Sequence, residues 1–282
     1  MSDEHSAPWR ESPLRLTIVT ATTDPDRAHD CLASWMATAV TQPRLQTVVN
    51  SYLGTVPAFR LGVERALQED PPADIIACLH DDLEITEQGW DDKVLEHFRR
   101  HPHCGLLGFG GAIALGDADL YQKPYNPMSL ARQGFRSNMR DAELHGIRSL
   151  LAERVACLDG FSQIGRREFW LGQGLRPNLD NAHDPDRYGG LRQWEAPLEA
   201  IEDHGIIHHF YDGALGALAE RMGWEVWYLP VACHHFGGRT AVGDSGYQAW
   251  AAKQIPGGDQ GYWEQSHRHA YDWLRDVLPI RI

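Results

Sequence analysis

At 282 residues, with 43% hydrophobic and 23% charged side chains, the chain has the size and composition of one large globular domain or two small ones, which speaks against overall disorder. A net charge of −13 argues against a broad nucleic-acid-binding surface or attraction to an anionic membrane. The five cysteines are scattered without a CxxC pair, so neither a disulfide framework nor a zinc ribbon is expected. The polar start "MSDEHSAPWRESP" shows no signal-peptide pattern, no apolar run nears the roughly 18 residues of a membrane span, and the expected location is the cytoplasm.

Residues 16–20, "LTIVT", read as a short buried strand, with "ATTDPDR" as the polar turn after it. Residues 28–40 have helical spacing, with Leu32, Trp35 and Met36 on one side. A second strand is expected over 45–50, "LQTVVN", and a second helix over 58–68, where Leu61, Val63 and Leu67 are apolar. "DIIACLH" reads as a third strand. Trp90, Val94, Leu95 and Phe98 then fall at i, i+4, i+5 and i+8, which puts them on one helical face. Residues 104–111, "CGLLGFGG", read as a fourth strand. Such alternation predicts βαβ units and a mostly parallel sheet. Sheets of this kind bind ligands outside the carboxyl ends of their strands.

The second half is less regular. Residues 112–150 read as loop with short elements, and 151–170 as a strand, a Gly-containing turn and a further strand. Residues 171–205 are rich in Gly, Pro, Asn and Asp and read as a long surface loop of the kind that orders over a ligand. "YDGALGALAERMGW" is a helix with Leu215, Leu218 and Met222 on one face and Gly223 placed to end it. "WEVWYLPVACHHFGG" follows as a strand that breaks into a His–His–Gly turn. An amphipathic helix with Trp263, Tyr271, Trp273 and Leu274 is expected beyond residue 260. The expected organisation is a flexible segment 1–13, a single domain 14–240 divided at 111/112, and a C-terminal loop and helix 241–282.

Several side chains carry chemistry. The third strand ends in "HDDLE", residues 80–84. Asp81, Asp82 and Glu84 are either loop acids near a helix N-terminus, where negative charge is favoured, or holders of a metal ion. His234 and His235 are adjacent, and neighbouring strand side chains point to opposite faces, so at most one should enter a site. His235, nearer the glycine turn, is the first choice and His234 the alternative. The His pair and "IIHHFYD" lack a zinc-binding spacing. Asp212 suits a helix N-cap, and Asp159–Gly160 a β-turn. Trp224 and Trp227 read as core or sheet-face residues, and Trp194 as the better binding candidate.

Three blocks in order, "LTIVTATTD", "CLHDDLEI" and "FYDGALGALAERMGWEVWYLPVACHHFGG", resemble the opening strand, the D-x-D strand and the late acidic-helix block of family 2-like GT-A glycosyltransferases. The resemblance implies an α/β, Rossmann-like GT-A fold: a mostly parallel central sheet flanked by helices, a small acceptor-side sheet and long loops. It implies transfer of a sugar from a nucleoside-diphosphate sugar to a hydroxyl acceptor on a small molecule or glycan, with Mn²⁺ or Mg²⁺ as cofactor and inversion as the expected outcome. No nucleic-acid polymer is implied as partner, and a homodimer is compatible. By the match, Asp82 and His235 hold the metal and Asp212 is the general base. Thr20, Ala21, Thr22, Asn50, Arg60 and Asp81 serve the nucleotide, while His80, Asp159, Gly160 and Trp194 lie on the sugar and acceptor side. Arg166 and Arg167 follow at a distance suited to phosphate contact, or are an ordinary exposed arginine pair. The chain departs from the pattern where His80 replaces the first Asp of D-x-D and Asn50 an Asp. Two alternatives stand: a sugar- or nucleotide-binding module with a decayed site, and a sugar-phosphate nucleotidyltransferase. The latter is disfavoured because "ATTDPDR" is no Gly-rich basic loop.

Overall fold

A computed structural model describes residues 13–49, 54–113, 134–140, 146–175, 192–208 and 210–237, with 249 and 273 besides. Its first half carries the expected strand–helix alternation with an unexpected short strand, β4, added: β1 (Leu16–Thr22), α1 (Pro25–Thr38), β2 (Arg44–Val49), α2 (Thr55–Leu67), β3 (Ile75–His80), β4 (Leu83–Ile85), α3 (Trp90–Arg100), β5 (Cys104–Gly108) and β6 (Gly110–Ala112). Short strands follow: β7 (Phe135–Ser137), β8 (Ile147–Arg148), β9 (Glu153–Arg154), β10 (Cys157–Leu158) and β11 (Ser162–Arg166). After these come α4 (Arg167–Trp170), β12 (Gln173–Gly174), β13 (Arg192–Gln193), α5 (Pro197–Asp203), α6 (Tyr211–Arg221), β14 (Glu225–Tyr228) and β15 (Cys233–His235).

The central sheet has seven strands in the order β2-β1-β3-β11-β5-β14-β9. Strands β2, β1 and β3 pair in parallel, as do β5 and β14, while β11 runs antiparallel between β3 and β5. The fold is therefore mixed α/β around a large, mostly parallel sheet. A four-stranded sheet, β10-β6-β7-β8, and two small ladders, β12-β13 and β15-β4, lie beside it.

Strand periodicity assigns the two faces of the sheet. Ile75, Ala77 and Leu79 belong to a core shared with Trp35 of α1 and with Trp90, Val94, Leu95 and Phe98 of α3. Ile76 and Cys78 belong to a second core with Val56, Phe59 and Val63 of α2 and Tyr211, Ala214 and Leu215 of α6. His80 continues the Ile76–Cys78 row, so its side chain is directed toward α2 and α6. Helix α2 lies close on the sheet because residue 62 has no side chain: a Cβ there would come 2.2 Å from Val19 Cγ1.

Several expectations are revised in detail. Met36 and Leu61 are 41% and 37% exposed, because each sits about 100° around its helix from the buried neighbours Trp35 and Gly62. The strand expected over 104–111 is interrupted at Phe109, whose N–H donates to Ser162 Oγ at 2.8 Å, and its two parts join different sheets. Residues 167–170 turn into a short helix rather than extending a strand. Within the expected loop 171–205, α5 forms with Pro at its start and buries Leu198 and Ile201. Arg166 is buried, donating to the carbonyls of Cys104, Phe98 and His101. Its charge thus caps the C-terminal end of α3, where cations are favoured, rather than meeting a phosphate. Of the residues named for the expected C-terminal helix only Trp273 is described, in helical conformation and stacked on His204 with centroids 4.2 Å apart; Trp263, Tyr271, Leu274 and Asn50 lie outside the described residues.

Candidate metal centre

The centre forms where β3 leaves the sheet. Asp81 and Asp82 make the turn between β3 and β4, and β4 pairs antiparallel with β15, His234 opposite Glu84 and His235 opposite Leu83. Phe236 N–H donates to Asp82 O at 3.0 Å and Trp35 Nε1 to Leu83 O at 2.6 Å. One residue before β15, Ala232 N–H donates to Glu87 Oε2 at 2.7 Å, and its carbonyl accepts the N–H groups of Thr86 and Glu87. These bonds fix the ladder's register, and register decides which histidine turns inward.

His235 turns inward, its Nε2 3.1 Å from Asp82 Oδ1. His234 turns to the other side, 4.0 Å from Glu84 and packed against Phe236. His80 completes the group, with Nδ1 4.0 Å from Asp82 Oδ1. One ligand atom from each of His80, Asp82 and His235 lies within 4.8 Å of the others. A single ion with bonds of about 2.1 Å separates its ligand atoms by about 3 Å when they are adjacent and about 4.2 Å when opposite. The two spacings from Asp82 Oδ1, 3.1 and 4.0 Å, fall in that range, and two imidazoles with a carboxylate are a donor set for a divalent transition ion. Burial lowers the His80 pKa, opposed by the Asp82 carboxylate, and a neutral imidazole is the form that can ligate.

The surroundings hold these groups. His80 Nε2 is 2.8 Å from Tyr211 Oη, and that hydroxyl donates to Gly160 O at 2.8 Å. Burial, with Asp212 next in effect, raises the Tyr211 pKa well above its usual value, so the phenol keeps its proton. Phe161 stacks on His235 with centroids 4.8 Å apart. Asp81 is buried and accepts from Thr22 Oγ1 at 2.6 Å. The turn at Asp159–Gly160 reaches the same end of the sheet, because β11 is antiparallel to β3 and Phe161 O accepts from His80 N–H.

The remaining expected positions distribute as follows. Ala21 pairs with His80 across β1–β3 and Thr22 ties to Asp81, whereas Thr20 is wholly buried within β1. Arg60 ion-pairs with Glu202 of α5 at 2.8 Å and with Glu64 at 3.5 Å. Asp212 is buried in the first turn of α6, but the N-cap is Phe210, at φ 67°. Trp194 packs on the core under the Arg221 guanidinium, 5.2 Å from its ring. Arg221 closes α6, so Trp194 lies at the far end of that helix from Tyr211. Trp224 is buried and Trp227 half-buried.

Two contributions are not legible in the sequence. The resemblance puts His80 on the sugar side, and the structure sets it beside Asp82 of the β3–β4 turn and His235. Tyr211 precedes Asp212 and carried no signal in the chain, because its partners, His80 and Gly160, are distant in sequence.

No family model matches the chain, and no curated protein matches it. Among solved structures, A197 from STIV aligns at 12% identity and a TM-score of 0.42, covering 79% of this chain and 86% of that one. GalNAc-T7, solved with UDP, GalNAc and Mn²⁺, aligns at 8% identity and a TM-score of 0.48, covering 95% of this chain and 57% of that one. Mouse xyloside xylosyltransferase 1 in its apo form aligns at 9% identity and 0.29, covering 55% and 67%. Identities this low establish no residue correspondence.

Proposed function

We propose that the chain is a metal-dependent glycosyltransferase of GT-A type, which moves a sugar from a nucleoside-diphosphate sugar to a hydroxyl acceptor with inversion. The observation that carries this reading is the His80–Asp82–His235 group at the carboxyl end of β3, where a parallel sheet presents its ligands. His80, Asp82 and His235 hold the divalent ion, which when bound neutralises a diphosphate leaving group as a Lewis acid. Asp81, oriented by Thr22, faces the ribose, and Ala21 and Thr22 border the nucleotide. Asp212 takes the proton of the acceptor hydroxyl as its oxygen bonds to the anomeric carbon and the bond to the diphosphate breaks. Asp159 and Gly160 border the sugar.

The test is a screen of nucleotide sugars for metal-dependent hydrolysis, run on the wild type and Asp82→Ala. Hydrolysis that needs both the ion and Asp82 supports the transferase. Sugar or nucleotide binding that ignores the metal and survives Asp82→Ala supports the binding-module alternative and removes the proposal.

A further inference from the structure

The hydrogen bonds around Tyr211 decide which nitrogen of His80 carries a proton. A phenol has one hydrogen, and a carbonyl oxygen can only accept. Gly160 O, 2.8 Å from Tyr211 Oη, therefore takes that hydrogen. The same phenol oxygen is 2.8 Å from His80 Nε2, so this second contact must run the other way, with Nε2–H donating. A neutral imidazole protonated at Nε2 keeps its lone pair on Nδ1. Nδ1 is the atom turned to Asp82, 4.0 Å from Oδ1. The opposite tautomer would set two lone pairs against each other at one of the two short contacts and aim Nδ1–H where an ion must sit.

We propose that Tyr211 is a positioning residue: anchored on the Gly160 carbonyl, it locks His80 as the Nε2–H tautomer and so presents the Nδ1 lone pair to a divalent cation shared with Asp82 and His235. This rests on the metal reading above. The site is built for the contact at several points. Tyr211 is buried, and Phe59 flanks both rings, 6.1 Å from each centroid. Residue 160 must be glycine for the phenol to come this close, because a Cβ there would stand 2.8 Å from Oη and 3.2 Å from Cζ. The relay Gly160–Tyr211–His80 thus joins the β10–β11 turn, α6 and β3 to one ligand atom. Partners that hold the non-ligating nitrogen of a ligand histidine typically change metal affinity by about 10–100-fold.

The experiment combines calorimetric titration of Mn²⁺ and Co²⁺ with nitrogen NMR of the histidine rings in the metal-free protein. Wild type, Tyr211→Phe, Gly160→Ala and Asp82→Ala are compared, with circular dichroism to confirm folding. The expected results are Nε2–H for His80 in the wild type and loss of that pattern in Tyr211→Phe. Metal affinity should fall about 10–100-fold in Tyr211→Phe, fall in the same direction in Gly160→Ala, and vanish in Asp82→Ala. A wild type that binds neither ion removes the metal reading and this inference together. Binding that depends on Asp82 but is unchanged in Tyr211→Phe overturns the Tyr211 role alone. So does Nδ1–H at His80 in the wild type, a result that stands even if the variants misfold.

Discussion

His235 Nε2 stands 3.1 Å from Asp82 Oδ1, delivered there by the pairing of His235 with Leu83 across the β4–β15 ladder. With His80, the donor set is two nitrogens and one carboxylate oxygen. Mg²⁺ prefers oxygen and octahedral geometry, whereas Mn²⁺, Co²⁺ and Zn²⁺ accept imidazole. Calorimetry should find these ions bound more tightly than Mg²⁺, by roughly tenfold or more. Binding should weaken as pH falls, because protons compete for the imidazole lone pairs. A site that favours Mg²⁺ would contradict the donor set.

Asp212 is buried at the start of α6, beside Tyr211. It is not the N-cap, but its Oδ1 accepts the first-turn N–H of Gly213 at 2.8 Å, a bond that the amide oxygen of Asn can also accept. Asp212→Asn keeps the shape and removes the proposed base. Turnover should fall by about 10²–10⁴-fold, the usual worth of a positioned proton acceptor, with donor binding retained. Loss of donor binding alongside turnover would mark Asp212 as structural.

Gly62→Ala opposes two effects on one helix. Alanine in a helix interior is favoured over glycine by about 1 kcal/mol. The new methyl, however, would sit 2.2 Å from Val19 Cγ1 and 3.3 Å from Val48 Cγ2, and neither short branched side chain can swing away. Overpacking of this kind costs about 1–3 kcal/mol. The packing cost should win, and denaturant titration should show a lower midpoint for Gly62→Ala.

His97, near the end of α3, has its pKa pushed down to about 4 by burial and by the neighbouring His101 and Arg166. Its Nε2 is buried with no hydrogen-bond partner among the described residues, and its ring packs on His101 and Trp227. The unfolded chain takes up a proton below pH 6.5 where the folded one does not. Stability is therefore complete above about pH 6.5 and is lost as pH falls toward 4. His97→Phe should flatten this slope by about 2 kcal/mol between those limits, less than the full shift because the ring keeps some solvent contact. An unchanged slope in His97→Phe would exonerate this residue.

How far the sequence discloses such a molecule depends on the range of the interactions. Apart from β4, strand and helix positions from Leu16 to Gly108 follow from local apolar periodicity, and β3 is legible because Ile75–Leu79 is one buried run. The carboxyl end of β3 as a site follows from the same reasoning. The choice of His235 over His234 does not: alternation says that one of them turns inward, but only the register with Leu83, held through Glu87 and Ala232, says which. Helix α5 hides in a Pro- and Gly-rich stretch because its stability comes from docking Leu198 and Ile201, not from an extended pattern of its own. Arg166 reads as a surface cation until the end of α3 is seen to need a donor. Tyr211 is silent because its hydroxyl partners come from two other elements.

The β4–β15 ladder also ties occupancy to folding. Asp82 enters early in the chain and His235 near the end of its described part, so an ion bridging them exists only when the intervening elements are assembled. Whatever binds the native arrangement alone shifts the unfolding equilibrium toward it, by about 2.7 kcal/mol at a hundredfold excess over the dissociation constant. Chelation should consequently depress the melting temperature of the entire sheet, and thermal shift against free ion concentration becomes a binding isotherm that needs neither donor nor acceptor.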